Sequence, residues 1–137
     1  MGLTAAKIEV LRQRALSVAA KAYSPYSKFR VGAAVLLEDD SVVEGCNVEN
    51  ASYRLTTCAE QTAIAAAVAL HGPALRIRAV VVVNLNETAS QPCGACRQTI
   101  HEFSSPETEV FFPAADGTLT RCTIADLLPH AFVLEEN

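Results

Sequence analysis

Residues 79–98, AVVVVNLNETASQPCGACRQ, carry the strongest indication of the fold. The run begins with residues 79–85, which are almost continuously apolar and rich in β-branched side chains. Such a run is typical of a strand that is buried on both faces of a sheet. Residues 86–91 are polar and predict a loop, and Pro92, in a first-turn position, predicts a helix that continues to about Phe103. The stretch therefore predicts a buried strand, a loop and a helix in succession.

The flanking segments predict further helices and strands. Apolar residues at three- and four-residue spacing predict a helix over 4–22, with Thr4 as its N-cap. An alanine-rich helix is predicted from about Thr57 to Leu70, and the Gly-Pro pair that follows predicts its end. The other predicted elements are strands over 29–37, 41–48, 110–112 and 119–122, with a turn at Asp39-Asp40, and a short helix over 124–128.

The predicted order, αββαβαββα, indicates an α/β fold in which helices cover both sides of one sheet of about five strands. Gly32 and Gly45 lie inside two of these strands and indicate a bulge or the close approach of another backbone. No internal repeat and no linker divides the chain. A single domain over residues 1–137 is therefore expected.

The composition limits the classes of partner. The chain has 137 residues, of which 50% are hydrophobic, a formal net charge of −4 and a pI of about 5.3. This acidic balance argues against a nucleic acid polymer, because phosphate binding depends on clustered Lys and Arg, but it does not exclude a single nucleoside. No stretch approaches the roughly 18 consecutive apolar residues of a membrane span, and the N-terminal residues mix charge into their apolar positions, unlike a signal peptide. A cytoplasmic location without a membrane partner is expected.

The five cysteines are odd in number and follow no secretion signal, so metal binding or catalysis is favoured over a disulfide framework. The pair Cys93-x-x-Cys96 is compatible with a redox site, half a zinc site or two core thiols. Half a zinc site fits better than a thioredoxin-type pair, because the motif follows several strands. Cys58, like Cys93, is predicted at a helix start, where backbone N–H groups stabilise a thiolate. Three cysteine ligands would leave the fourth position of zinc open, as in catalytic sites.

Glu60 allows two interpretations. Together with Thr57, three residues earlier, it fits a capping box, in which both side chains satisfy backbone N–H groups at a helix start. With zinc at Cys58, the same carboxylate would lie beside the open metal position. The pattern C-x-E followed by P-C-x-x-C matches the signature of zinc deaminases, with Cys where other members have His.

The chain resembles the small, homotetrameric, zinc-dependent cytidine deaminases of pyrimidine salvage. The resemblance extends from about Tyr23 to Phe132, and two segments outside the metal motifs favour the nucleoside branch of the superfamily. The segments that carry it are PYSKFRVGAAV (25–35), GCNVENASY (45–53), CAE (58–60), PCGACRQ (92–98) and LLPHAF (127–132).

The resemblance implies a three-layer α/β/α sandwich with a mixed sheet, and hydrolytic deamination of cytidine and 2′-deoxycytidine to uridine and 2′-deoxyuridine with release of ammonia. One Zn²⁺ per subunit would be held by Cys58, Cys93 and Cys96 and would activate a water molecule. Glu60 would be the catalytic proton shuttle, first as base and then as acid.

The same resemblance implies the residues that bind the nucleoside. Asn47 and Glu49 would hydrogen-bond the ribose, chiefly its 3′-hydroxyl, and Phe29 would pack against the pyrimidine ring. The implied pocket also includes Ala59, and in the homotetramer it is completed by Ala51 and Tyr53 from one neighbouring subunit and Phe132 from another.

Gln61 departs from the family pattern, because most relatives carry Arg directly after the CAE motif. Three thiolates on Zn²⁺ sum to −1, and the family Arg offsets this charge by hydrogen bonds to the ligand sulfurs. Gln61 can donate hydrogen bonds but brings no charge. Arg54 and Arg97 are the candidates for a compensating cation near the metal, although a solvated loop arginine is the ordinary alternative for Arg54.

Two other functions remain open from the sequence. A related zinc deaminase could act on a modified cytidine or an aminopyrimidine nucleoside antibiotic, although the Asn47 and Glu49 pair favours a substrate with a ribose. A non-catalytic, zinc-stabilised module is the alternative from another class. It predicts a fourth protein ligand and no need for Glu60.

Overall fold

The computed structural model describes residues 2–134, so both ends of the predicted domain, Met1 and residues 135–137, lie outside the described residues. The order of elements confirms the predicted αββαβαββα arrangement. The elements are α1 (Ala5–Ala19), β1 (Val31–Leu37), β2 (Val42–Cys46), α2 (Ala59–His71), β3 (Ile77–Asn84), α3 (Gly94–Glu102), β4 (Ser104–Pro113), β5 (Leu119–Thr123) and α4 (Ile124–Leu127).

The five strands form one mixed sheet in the order β2-β1-β3-β4-β5. Only β3 and β4 pair in parallel, and α3 makes the crossover between them. The other three pairs are antiparallel, including the β1–β2 hairpin, whose turn contains Asp40 with φ of 70°. The valine-rich strand β3 is central and is buried along nearly its whole length, as predicted from residues 79–85.

Helices cover both faces of the sheet, which confirms the three-layer α/β/α sandwich. Successive residues of β1 point to opposite faces, so Val35 packs in the core below α2, α3 and α4, and Leu36 packs in the core below α1. Both side chains have no exposed surface. Within residues 2–134, no helix combines the length and the apolar character needed to cross a membrane.

Two glycines in the sheet allow the helices on either face to approach closely. A Cβ atom at Gly32 would lie 2.0 Å from the carbonyl oxygen of Ala15 in α1. A Cβ atom at Gly45 would lie 2.3 Å from the backbone nitrogen of Ala63 in α2. The close approach predicted for these two positions is therefore confirmed, and any larger side chain would push a helix away from the sheet.

Strand β4 is longer than the predicted strand 110–112 and begins at Ser104. Its first part is polar and contains Pro106, so its sequence alone does not indicate a strand. Pairing with β3 is interrupted between Ile77 and Ala79, and the Thr108 hydroxyl donates to the Ile77 carbonyl at 3.0 Å across this irregularity. Tertiary contacts therefore stabilise strand residues that local propensity does not favour.

Candidate active site

Helices α2 and α3 begin with Cys58 and Cys93 as their N-cap residues, both in extended conformation. Neither cap receives a side-chain hydrogen bond from its helix, so the first-turn N–H groups have no side-chain acceptor at the cap. Pro92 therefore precedes the cap of α3 and is not in its first turn, which corrects the prediction. The free N–H groups and the positive end of each helix dipole favour thiolates at both positions.

The capping-box interpretation of Thr57 and Glu60 is wrong. With Cys58 as the cap, Glu60 is the second residue of α2 and lies one position too early for a capping box. The backbone of Thr57 instead forms a bridge with Val48, with N–O distances of 2.8 and 2.9 Å. This bridge fixes the chain just before Cys58 and leaves the Glu60 side chain free for another role.

Three cysteines converge between the two helix starts. The sulfur atoms of Cys58, Cys93 and Cys96 all lie within 4.8 Å of one another, close enough to bind one ion. In the described part of the chain, no further Cys, His, Asp or Glu joins this group. Thiolates are soft ligands that suit Zn²⁺, and a set of three is the number expected when one position stays open. The residues present therefore fit a zinc ion.

The thiols interact strongly with one another. A hydrogen bond from Cys96 lowers the pKa of Cys58 to about 7, although burial and the charge of Glu60 act in the opposite direction. The same hydrogen bond, together with burial, raises the pKa of Cys96. The Cys58 thiol is thus partly ionised at neutral pH, and a bound cation would favour its thiolate further.

Glu60 is a buried carboxyl group beside the cysteines, with 4% of its surface exposed. Burial raises the pKa of Glu60, and hydrogen bonds from its own backbone N–H and from Cys96 only partly oppose this. A buried acidic residue is uncommon unless it has a partner or a chemical role.

A cavity of about 450 Å³ adjoins the cysteines and Glu60. It is large enough for a ligand of nucleoside size, and its wall combines apolar side chains with a few polar groups. Four residues that the resemblance implies for substrate binding, Phe29, Asn47, Glu49 and Ala59, line this same cavity. The remaining lining residues are Ser27, Val31, Thr56, Cys58, Glu60, Val82, Ser90, Gln91, Cys93 and Cys96.

The side chain of Asn47 is buried and bridges the backbone that leads into β1. Its Nδ2 donates to the Phe29 carbonyl at 2.8 Å, and its Oδ1 accepts from the Val31 N–H at 2.9 Å. These two bonds hold Phe29 at the cavity wall. An amide group has two donors and two acceptor positions, so Asn47 retains one of each for a ligand.

The carboxylate of Glu49 is held by the loop between α1 and β1. Its Oε1 accepts from the backbone N–H groups of Tyr26 at 3.0 Å and Ser27 at 3.2 Å, and its Oε2 accepts from the Ser27 hydroxyl. The hydroxyl is the main cause of a lowered pKa of Glu49, so the group is charged at neutral pH.

Three of the implied substrate-binding residues lie outside the cavity that contains the cysteines. Tyr53 is 78% exposed and packs edge-on against Tyr26, with ring centroids 6.4 Å apart. Ala51 is exposed in the segment before it, and Phe132, 72% exposed, follows α4. Within one chain the cavity therefore lacks these three side chains.

The residues considered for charge compensation occupy different positions. The Gln61 amide nitrogen lies 3.9 Å from the Cys96 sulfur, within hydrogen-bonding distance for a sulfur acceptor. Arg97 donates to the carbonyls of Pro92 and Leu127 at 2.8 and 2.9 Å and to the Gln91 side chain at 2.9 Å. Its guanidinium thus donates to oxygen atoms and stabilises the loop before Cys93. Arg54 is exposed in the 3₁₀ turn Tyr53–Leu55.

Several cavity residues were not predicted from the sequence. Ser90 and Gln91 immediately precede Pro92-Cys93, and Ser27 lies within the PYSKF segment, so proximity to the motifs was the available signal. Asn84 is buried and organises the loop that contains them. Its amide nitrogen donates to the Thr88 carbonyl at 2.8 Å and to the Ser90 hydroxyl at 3.2 Å.

Comparisons with known proteins agree with this geometry. The family model of the cytidine and deoxycytidylate deaminase zinc-binding region matches residues 5–112. A cytidine deaminase of Halalkalibacterium halodurans is 41% identical over 129 residues, which are 93% of this chain and 96% of that relative. The crystal structure of cytidine deaminase from Burkholderia pseudomallei superimposes with a TM-score of 0.83 at 41% identity, covering 95% of this chain and 100% of that one. That of cytidine deaminase from Mycobacterium tuberculosis gives 0.80 at 42% identity, covering 92% and 97%. This chain belongs to the cytidine and deoxycytidylate deaminase family, whose members are zinc-dependent hydrolases.

Proposed function

We propose that this protein catalyses the hydrolytic deamination of cytidine and 2′-deoxycytidine to uridine and 2′-deoxyuridine, with release of ammonia. The main support for this proposal is the cavity of about 450 Å³, which is lined by three convergent cysteines, the buried Glu60 and the aromatic Phe29. Cys58, Cys93 and Cys96 would hold one Zn²⁺ per subunit. When bound, Zn²⁺ acts as a Lewis acid that makes water a competent nucleophile near neutral pH.

Glu60 is the proposed proton carrier. Its carboxylate accepts a proton from water as the oxygen adds to C4 of the pyrimidine, and it passes this proton to N3. It then takes the proton of the new C4 hydroxyl group and delivers it to the 4-amino group, so that the C4–N bond breaks, ammonia leaves and the C4 carbonyl of the product forms. A single buried carboxyl can serve both steps, because it lies in the same cavity as the reacting ring and is shielded from bulk water.

The nucleoside is oriented by other residues that line the same cavity. Phe29 packs against the pyrimidine ring, and the backbone of Ala59 lies beside it at the start of α2. Asn47 and Glu49 bind the ribose, chiefly at its 3′-hydroxyl, with the acceptor and donor positions that their internal hydrogen bonds leave free.

The proposed active form is a homotetramer of single-domain subunits, each spanning residues 1–137. The exposed apolar side chains support this assembly, because Tyr53, Leu55, Phe132 and Leu134 each have 65% or more of their surface uncovered in one chain. Ala51 and Tyr53 from one neighbour and Phe132 from another would complete the pocket. Interfaces between copies would cover these side chains.

Gln61, Arg54 and Arg97 are proposed to act around the ligand sulfurs and not on the nucleoside. Gln61 donates to Cys96, and Arg97 supports the backbone of the loop before Cys93. Arg54 is exposed, a position that suits a solvated charge as well as a cation near the metal.

We place the reaction in pyrimidine salvage in the cytoplasm. All five cysteines are free in the structure, and a reducing compartment would keep the three ligand thiols available for metal. Deamination of a modified cytidine or of an aminopyrimidine antibiotic is not favoured, because the similar proteins named above are cytidine deaminases. A non-catalytic zinc module is disfavoured by the three-membered ligand group found among the described residues.

The test is an absorbance assay of cytidine and 2′-deoxycytidine loss with protein of measured zinc content. We expect turnover in proportion to bound zinc, with ammonia formed in an amount equal to the uridine or 2′-deoxyuridine produced. Protein stripped by a chelator and reloaded with zinc is the control. Zinc-loaded protein that leaves both nucleosides unchanged would exclude the proposed function.

A further inference from the structure

The side chain of Ser27 contacts two residues that line the nucleoside cavity, Glu49 and Phe29. Its hydroxyl donates to Oε2 of Glu49 and accepts from the backbone N–H of Phe29 at 3.0 Å. Its own backbone N–H donates to Oε1 of Glu49 at 3.2 Å. One short side chain thus contacts both Glu49, which is proposed to bind the ribose, and Phe29, which is proposed to pack against the base.

We propose that Ser27 is a positioning residue that orients the Glu49 carboxylate for the ribose hydroxyl and couples this contact to Phe29. The proposal rests on the proposed function, since it concerns how the same cavity recognises a nucleoside. It assigns a task to a residue that does not itself need to touch the substrate.

The hydrogen bonds that the Glu49 carboxylate already accepts determine how many acceptor positions remain for a ligand. A carboxylate offers about four lone-pair directions, two on each oxygen. Oε1 already accepts from Tyr26 and Ser27 N–H groups, so both of its directions are used. Oε2 accepts from the Ser27 hydroxyl, which leaves one direction for a donor from a ligand. The serine hydroxyl therefore fixes the side from which a sugar hydroxyl can approach.

The backbone conformation between Ser27 and Phe29 allows the hydrogen bond from the Phe29 N–H to the Ser27 hydroxyl. Lys28 has φ of 60°, in the left-handed region that non-glycine residues rarely adopt. Its N–H donates to the Ser24 carbonyl at 3.0 Å, and its carbonyl accepts from the Asn86 amide at 3.1 Å, so the turn is held at both ends. The turn brings the Phe29 N–H to the Ser27 hydroxyl, which forms a chain of two hydrogen bonds ending on Glu49.

This arrangement predicts a specific kinetic effect of Ser27→Ala. If Glu49 binds the ribose equally in the bound substrate and in the transition state, misorientation of its carboxylate raises KM and leaves kcat nearly unchanged. We expect the KM for cytidine to rise about tenfold and kcat to stay within about twofold, because a hydrogen bond to a charged group is lost. Ser27→Thr keeps the hydroxyl and should retain most of the affinity.

The decisive comparison uses 3′-deoxycytidine, which lacks the hydroxyl assigned to Glu49. We expect Ser27→Ala to raise its KM by no more than about threefold, because the oriented carboxylate has no partner on this substrate. Glu49→Gln combined with Ser27→Ala should likewise be little worse than Glu49→Gln alone. Ser17→Ala, at an exposed serine of α1 on the other side of the sheet, is the matched control and should change neither constant.

The outcomes separate this inference from the proposed function. An equal loss on cytidine and 3′-deoxycytidine would overturn the positioning role, as would a Ser27→Ala protein that fails to fold or loses zinc, because either result would make Ser27 a structural residue. A zinc-loaded parent protein that deaminates neither substrate would overturn the proposed function and, with it, the inference.

Discussion

The inner end of the cavity and the exposed outer segments around Tyr53 and Phe132 are built in different ways. The inner end consists of the first residues of α2 and α3, where Glu60 is 4% and Cys96 1% exposed. The outer segments lie outside the long helices and the sheet, and their side chains Tyr53 and Phe132 do not line the cavity of one chain and are more than 70% exposed. The groups expected to perform the chemistry are therefore fixed within one chain, and the outer segments have apolar side chains that only another surface could cover. The effects of substitutions in the two regions should differ in kind as well as in magnitude.

Removal of a metal ligand at the inner end should have the largest effect. We expect Cys96→Ala to lose stoichiometric zinc and all measurable turnover, because two thiolates cannot hold the ion in a site built for three. Zinc analysis of the purified protein, together with thermal unfolding with and without added zinc, measures this. Cys122→Ala is the matched control at a half-buried cysteine of β5. Equal zinc content in the two variants would contradict the assignment of the ligands.

Glu60→Gln should separate chemistry from metal binding. The amide keeps the size of the side chain but cannot carry the proton, so we expect zinc content to remain normal and kcat to fall about 10²–10⁴-fold. Zinc analysis and the absorbance assay on the same preparation provide both values. Near-normal turnover by the zinc-loaded variant would remove Glu60 from the mechanism.

A substitution in the outer segments should act through assembly of the subunits. We expect Phe132→Ala to lower kcat/KM about tenfold and to weaken association of the subunits, because an aromatic side chain of an interface would be lost. Turnover and sedimentation velocity over a range of protein concentrations measure the two effects together. Val10→Ala, at a half-exposed valine of α1, is the control for loss of an exposed apolar side chain. If Phe132→Ala changes neither property, the shared pocket is excluded.

Gln61→Arg should have the smallest effect. A guanidinium near the Cys96 sulfur would add a positive charge beside the cysteines. Because a nearby cation favours deprotonated forms, the acidic limb of the kcat/KM profile should move to lower pH, with at most a severalfold change in its maximum. Gln61→Met is a neutral control of similar length. A profile that Gln61→Arg leaves unchanged would show that the missing charge does not affect the reaction.

The fold was predictable where the amino-acid pattern is local. The valine-rich run of β3, the Asp39-Asp40 turn and the Gly72 end of α2 each depend on neighbouring residues in the chain, and all three are confirmed. The polar first half of β4 was not predictable, because pairing with β3 and the Thr108 hydrogen bond stabilise it. Local propensity is a weak guide when such contacts compete with it.

The candidate site shows the same division. The spacing of Cys93, Cys96 and Cys58, together with Glu60, indicates zinc chemistry from the sequence alone. The first residue of α2 was harder to predict, because Thr57 and Glu60 satisfy the pattern of a capping box. In the structure Thr57 forms a backbone bridge with Val48, and Cys58 is the N-cap. No pattern indicates that Ser27 meets Glu49, since 22 residues separate them in the chain.

The amino-acid sequence alone specified the order of helices and strands and the chemical identity of the candidate metal ligands, because propensity, turn residues and thiol chemistry are properties of short segments. Folding decided where these segments meet. Cys58 and Cys93 are 35 residues apart in the chain, and their sulfurs come within 4.8 Å only because α2 and α3 begin side by side at the same edge of the sheet. Gly45, which admits α2 close to β2, is a condition for that convergence that becomes evident only from the packing.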